Sequence, residues 1–196
     1  MSDVLTSPII GTTFDVCTRE ILSYSDKVIK EGDIKNECEE YCKQHNLRKI
    51  WKVDVAAIIG EYCFLIQCKY GFTKIPTESV TEYIEDCKNL INYLYGKKIN
   101  YKFVLIYLTR TAPAEGGITA LLNYKNIIPT AICGLYISLY DKKNELNGYT
   151  IADNIKDFYH LWAILYYRIY EITGVYPTFK ELGSNDTMML DVSLFK

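Results

Sequence analysis

Residues 53–70 constrain the fold more than any other part of the chain. They read Val53-Asp54-Val55-Ala56-Ala57-Ile58-Ile59-Gly60-Glu61-Tyr62-Cys63-Phe64-Leu65-Ile66-Gln67-Cys68-Lys69-Tyr70. Two apolar runs flank Gly60-Glu61, and glycine at the first central position of a two-residue loop suits a type II′ hairpin turn. Such a turn fixes the register. Counted outward from it, Asp54 falls opposite Gln67, Lys52 opposite Lys69, and Lys69 lies two residues beyond Gln67 on the same face. On the other face Val53, Val55 and Ala57 meet Cys68, Ile66 and Phe64, which anchors the hairpin in a core. An acid, an amide and an ammonium on an otherwise apolar hairpin are costly to bury unless satisfied, so a purely structural hairpin would not select them.

The flanking segments supply the layers around it. Thr12 or Thr13 caps a helix running to about Ser23, with Phe14, Cys17, Ile21 and Leu22 as its apolar stripe and Asp15 in its first turn. A second, acidic helix fits Asp33–His45. After the hairpin, Val80, Ile84, Cys87, Leu90, Ile91 and Leu94 recur at helical spacing over Glu78–Leu94, and Gly96 ends that helix. Phe103-Val104-Leu105-Ile106-Tyr107-Leu108 is an unbroken apolar run and reads as a central strand covered on both sides. A short helix over 117–124 and a strand over 127–137 follow. The order α-α-β-β-α-β-α-β predicts an α/β sandwich on a mixed sheet. Asp141–Gly148 is polar and turn-rich. It is expected to separate a domain over 1–140 from a C-terminal helical extension over 141–196, whose aromatic helix spans Ile155–Thr173.

At 196 residues the chain can bury one substantial core. A formal net charge of −2 argues against binding by bulk phosphate attraction, so any contact with nucleic acid must be local or metal-assisted. Lysines 69, 74, 88, 97, 98 and 102, with Arg110, tilt the middle third basic. An ordinary solvated surface is the other reading of these charges. No apolar run approaches the ~20 residues of a membrane helix. The start of the chain lacks the pattern of a signal peptide. Seven scattered cysteines fit reduced thiols, hence an intracellular protein, cytoplasmic or nuclear. Frequent Ile, Asn, Lys and Tyr suggest an AT-rich source such as a virus or mobile element.

Hydrolysis of a phosphodiester needs a divalent cation held by acids, an activated water, and a positive charge near the developing negative one. Asp54 can ligate a hard cation such as Mg²⁺ or Mn²⁺, and Gln67 can add a carbonyl oxygen. Lys69 can orient or deprotonate water, or neutralise charge. Lys52, Lys74 and Arg110 are candidate contacts to nucleic acid.

At these positions the chain resembles the PD-(D/E)xK nuclease superfamily. Asp54 followed by Ile66-Gln67-Cys68-Lys69-Tyr70 is most similar to the branch of Mrr-type restriction endonucleases, in which Gln replaces the second acid. Gly11-x-x-Phe14-Asp15 followed by Ile21-Leu22 resembles the first-helix pattern of those enzymes and of archaeal Holliday-junction resolvases. The similarity extends over roughly residues 10–137. It implies a restriction-endonuclease-like α/β/α sandwich, a Mg²⁺-dependent deoxyribonuclease activity giving a 5′-phosphate, and a metal-ligand role for Asp15, where the family usually carries Glu. Asp54 and Gln67 would complete the metal site, with Lys69 catalytic. A structure-selective resolvase acting as a homodimer, and a non-catalytic nucleic-acid-binding or assembly module of the same fold, are the alternatives.

Other readings of the same residues stay open. Asp54 could pair with Lys69 in a buried ion pair, Gln67 could be a satisfied core amide, and Lys69 could snorkel. Glu20 and Glu78 are rival ligands. Cys38, Cys42 and His45 share a helix face at zinc-like spacing, but core-facing thiols beside a surface His explain them as well. His160 reads as a packed His. Ala114-Glu115-Gly116-Gly117 lacks the ending of a phosphate loop and reads as a turn before a helix. Tyr176–Leu182 loosely resembles the start of a DNA-binding helix pair. The 18 tyrosines read chiefly as packing rather than a base-stacking surface.

Overall fold

Gly60 takes φ 57° and Glu61 stays out of the left-handed region, as a type II′ turn requires. The computed structural model describes residues 7–22, 25–141, 151–175, 178–180 and 187–189. Around the turn, β2 (Val55–Ile59) and β3 (Tyr62–Lys69) pair antiparallel, with Val55 opposite Ile66 and Ala57 opposite Phe64. This is the register expected from the turn. It continues one step past the ladder, where the Asp54 N–H donates to the Ile66 carbonyl at 2.9 Å.

The apolar run forms β4 (Lys102–Thr111), which lies parallel to β3 and is followed by parallel β5 (Cys133–Tyr140). Parallel neighbours need crossovers, supplied by helices α3 (Thr77–Gly96) and α4 (Glu115–Leu122). A short strand β1 (Lys27–Lys30) pairs antiparallel with β2, giving a five-stranded mixed sheet in the order β1-β2-β3-β4-β5. Alternate residues of β4 enter two different cores. Phe103, Leu105 and Tyr107 pack on the side of α3, α4 and α2 (Glu31–Gln44). Val104, Ile106 and Leu108 pack on the side of α1 (Ser7–Ile21) and α5 (Ile151–Thr173). The molecule is therefore an α/β sandwich, and β4 is buried on both faces because its side chains serve both layers. Strands β6 (Thr178–Lys180) and β7 (Thr187–Met189) form a separate antiparallel pair.

Several boundaries differ from expectation for identifiable reasons. Helix α1 starts at Ser7, so Asp15 sits mid-helix. The Thr13 hydroxyl bonds back to the Ile9 carbonyl at 2.9 Å instead of capping. Helix α2 starts at Glu31, with Asp33 inside its first turn. Residues 127–132 are not strand: a 3-10 turn at Tyr124–Asn126 precedes them, Pro129 supplies no N–H, and pairing begins at Cys133. The segment after Ala114 is the start of α4, not a phosphate loop. A Cβ on Gly117 would lie 2.9 Å from Val80 Cγ2, so this glycine lets α4 approach α3 closely. The aromatic helix begins at Ile151, and Phe158, Leu161, Trp162, Leu165, Tyr166 and Ile169 help build the core under β4. It is a full layer of the sandwich. Residues 142–150, which cover most of the polar segment before it, lie outside the described residues, as do the flanks of the Tyr176–Leu182 segment. Within that segment Thr178–Lys180 is strand, not helix.

Candidate metal-binding and catalytic site

Asp54 stands where the chain enters β2, Gln67 and Lys69 close β3, and α1 crosses the same end of the sheet with Asp15. The Asp54 carboxylate is 7 % exposed. Its Oδ2 accepts the Cys68 N–H at 2.7 Å and a Gln67 Nε2 hydrogen at 2.6 Å. Gln67 Nε2 also donates to the Cys68 carbonyl at 3.0 Å. This turns the other end of the amide, Oε1, into a buried acceptor without a hydrogen-bond donor. Asp15 Oδ1 is likewise buried and undonated. Ligand atoms of Asp15, Asp54 and Cys68 all lie within 4.8 Å of one another, the single such group among the described residues.

The electrostatics match the geometry. Burial, and then the charge of Asp15, push the Asp54 carboxyl up from 3.8 to about 7, against the opposing pull of the Cys68 N–H, Arg19 and Lys35. Burial, with the charges of Asp54 and Asp15, also holds the Cys68 thiol well above its usual range, so sulfur is a poor donor here. What remains is a pair of carboxylates, Asp15 and Asp54, with the Gln67 amide turned so that its Nε2 faces Asp54 while its buried Oε1 and Asp15 Oδ1 lack donors. Paired carboxylates of this kind are the donor chemistry a hard divalent cation such as Mg²⁺ or Mn²⁺ takes.

The expected residues fare differently. Asp54, Gln67 and Asp15 converge. Lys69 ends β3 exposed, with no acid in ion-pair range among the described residues, so the Asp54–Lys69 ion pair is not formed. The partner of Asp54 is Gln67. Lys74 is exposed in the loop after β3. Lys52 is drawn toward α3: its N–H donates to Asp86 at 2.8 Å and its ammonium lies 3.4 Å from Glu82. Arg110 is a correction. It is 0 % exposed, pairs with Asp157 of α5 at 3.0 Å and packs against the rings of Phe72 and Tyr140, so it cannot meet nucleic acid from the surface. Glu20 and Glu78 are exposed and outside the cluster. Cys38 and Cys42 are core thiols with His45 exposed, and His160 is half-buried.

Three residues around the candidate site carry no sequence signal that was read as such. Arg19 pairs with Asp15 Oδ2 at 2.6 Å, a contact its i,i+4 spacing could have signalled. Lys35 of α2 pairs with Glu31 and feels the charges of Asp54 and Asp15 as well as that of Asp86. Asp86 of α3 is buried and binds the loop that leads into Asp54. The last two meet the site only through tertiary packing, which local spacing does not encode.

No protein-family model matches the chain, and neither a curated protein nor a solved structure matches it.

Proposed function

We propose that the protein is a metal-dependent DNA endonuclease. The observation that carries this reading is the pair of undonated buried oxygens, Asp15 Oδ1 and Gln67 Oε1, beside Asp54 at the hairpin end that also carries an exposed lysine. Asp54, Asp15 and Gln67 would hold Mg²⁺ or Mn²⁺. When bound, the cation supplies Lewis-acid stabilisation of phosphoryl charge and lowers the pKa of water. Lys69 orients the attacking water or neutralises charge developing on the scissile phosphate. The water oxygen bonds to phosphorus and the P–O3′ bond breaks, leaving a 5′-phosphate and a 3′-hydroxyl that takes up a proton. The α/β sandwich with its mixed sheet, and the place of the three polar residues at the end of one hairpin, support the resemblance to PD-(D/E)xK nucleases. DNA as substrate, a structure-selective preference and a homodimer come from that resemblance.

One observation favours a second reading. The guanidinium of Arg19 already sits on Asp15 at 2.6 Å, where it neutralises part of the charge that a divalent cation would meet. A nucleic-acid-binding module without catalysis would keep this arrangement. Cleavage of supercoiled plasmid, linear duplex, single strand and a four-way junction, with Mn²⁺ or Mg²⁺ against EDTA, separates the two. The nuclease should cut only with metal, and Lys69→Ala should lower the rate by at least ~100-fold while the fold is kept. Undiminished cutting by that variant removes Lys69 from the mechanism. Absence of cutting by folded protein, with no metal-dependent rise in Tm, leaves the binding module.

A further inference from the structure

The chain has two tryptophans, and they are treated in opposite ways. Trp162 is buried and its indole N–H donates to Thr18 at 2.9 Å. Trp51 is 52 % exposed, although an indole in water forgoes a large apolar burial. Its backbone is nevertheless held firmly. The Trp51 N–H donates to Asp86 Oδ2 at 2.9 Å, the Lys52 N–H donates to the same oxygen at 2.8 Å, and Arg48 reaches Asp86 Oδ1 at 2.8 Å. The side chain of Asp86 is fully buried, and Ile50 and Val53 on either side of the loop enter the core. The loop is thus a rigid mount for one exposed ring. Two ammonium groups lie over that ring, Lys35 at 4.8 Å and Lys49 at 6.0 Å.

The mount borders the candidate site. Trp51 precedes Asp54 by three residues, at most ~11 Å of extended chain, comparable with about three base steps of a DNA strand. A half-exposed indole with two lysine ammonium groups at its ring, each also paired with a glutamate of α2, matches a nucleobase that stacks on the indole while its flanking phosphates draw the ammonium groups. A base inside a duplex has its faces covered by neighbours, so the ring requires an unpaired one.

We propose that Trp51 is a stacking platform for an unpaired nucleobase of a DNA strand lying along the Asp54–Gln67 site, in single-stranded DNA or extruded from a duplex. The proposal rests on the nuclease reading for its substrate class. Its test is binding, measured in EDTA on the full chain. A fluorescein-labelled oligothymidylate is titrated against the protein, alongside a duplex of mixed sequence and the same duplex carrying one unpaired base. Intrinsic tryptophan fluorescence is read in parallel. The single strand should quench tryptophan emission saturably, and Trp51→Ala should abolish the quenching. That variant should bind the single strand about 5- to 150-fold more weakly, the range for loss of one base stack. Trp51→Tyr should retain most of the affinity. A larger loss on the unpaired-base duplex than on the perfect duplex identifies extrusion, and a loss confined to oligothymidylate identifies single-strand recognition. Single-strand affinity unchanged by Trp51→Ala, quenching that persists in that variant, or no binding of any of the three probes would overturn the platform. Metal-dependent cleavage alongside such a result would leave the nuclease reading standing. Trp51-dependent binding without cleavage would do the reverse.

Discussion

Asp54 is the residue on which the site turns, and its pH behaviour is a direct consequence of where it sits. With its carboxyl raised from 3.8 to about 7, first by burial and then by Asp15, the folded state binds a proton that the unfolded state has already released. Stability therefore falls as pH rises from about 4 to about 7, and the full penalty persists above that range. A shift of this size corresponds to at most on the order of 4 kcal/mol. Asp54→Asn keeps an acceptor for the Cys68 N–H but removes the buried charge. Urea unfolding of metal-free protein should show the variant gaining stability relative to wild type at about pH 8 and gaining little at about pH 4. The opposite trend would mean that the carboxylate is better solvated than its burial indicates. Metal linkage has the contrary sign. If Asp54 is the metal ligand proposed above, ligation requires the ionised acid, so Mn²⁺ affinity of the wild-type protein should climb about tenfold per pH unit below about pH 7 and level off above it. Asp54→Asn should lose most of that affinity, which calorimetric titration at two pH values would reveal.

Among the elements, the loop between α2 and β2 depends on a single buried acid. Burial pushes the Asp86 carboxyl up, and the N–H groups of Trp51 and Lys52, together with Arg48, pull against that shift. Asp86→Ala strands these donors, and the expected cost is about 3–5 kcal/mol by denaturant unfolding, the range for removing one partner of a buried charged network. Asp86→Asn, which keeps one acceptor oxygen, should recover part of it. The hairpin was readable in the sequence because a two-residue turn at Gly60-Glu61 dictates every partner, and the structure keeps that register to Asp54. The central strand was readable because a short apolar run rich in β-branched and aromatic residues suits a strand buried on both faces. Strand β1 was not: Lys27–Lys30 has two apolar residues in four and is defined by pairing with β2, not by its own pattern. Arg110 misled because an arginine at a strand end resembles a surface cation. Its partner Asp157 is 47 positions away, on a helix that no local rule places beside β4.

At the scale of the whole molecule, the site depends on the layer formed by α1 and α5. Helix α1 carries Asp15, and one of its faces is fixed by α5: Phe14 lies 4.9 Å from the Phe158 ring, the Trp162 indole donates to Thr18, and the Tyr166 hydroxyl donates to the Ile21 carbonyl. The buried Arg110–Asp157 pair adds a polar tie between β4 and α5, joined by the Tyr140 hydroxyl at 3.0 Å from Asp157. A chain ending at Tyr140 would expose the underside of β4 at Val104, Ile106 and Leu108 and leave α1 without its packing partner. Each such large apolar side chain returned to water forfeits about 1.5–3 kcal/mol, so the three of β4 together with those of α1 would take up most or all of the roughly 5–15 kcal/mol net stability of a typical domain. The truncated chain should therefore lack a cooperative unfolding transition. Leu165→Ala in the full chain should remain folded and lose about 2–5 kcal/mol. If the nuclease reading holds, that variant should also lose metal affinity in proportion to its population of unfolded molecules and no further, because Leu165 lies in the core and is none of the site residues. Measuring denaturant stability and Mn²⁺ affinity on the same preparation distinguishes this global effect from direct damage to Asp15. A loss of affinity well beyond the unfolded fraction would mean that α5 sets the position of the α1 carboxylate itself.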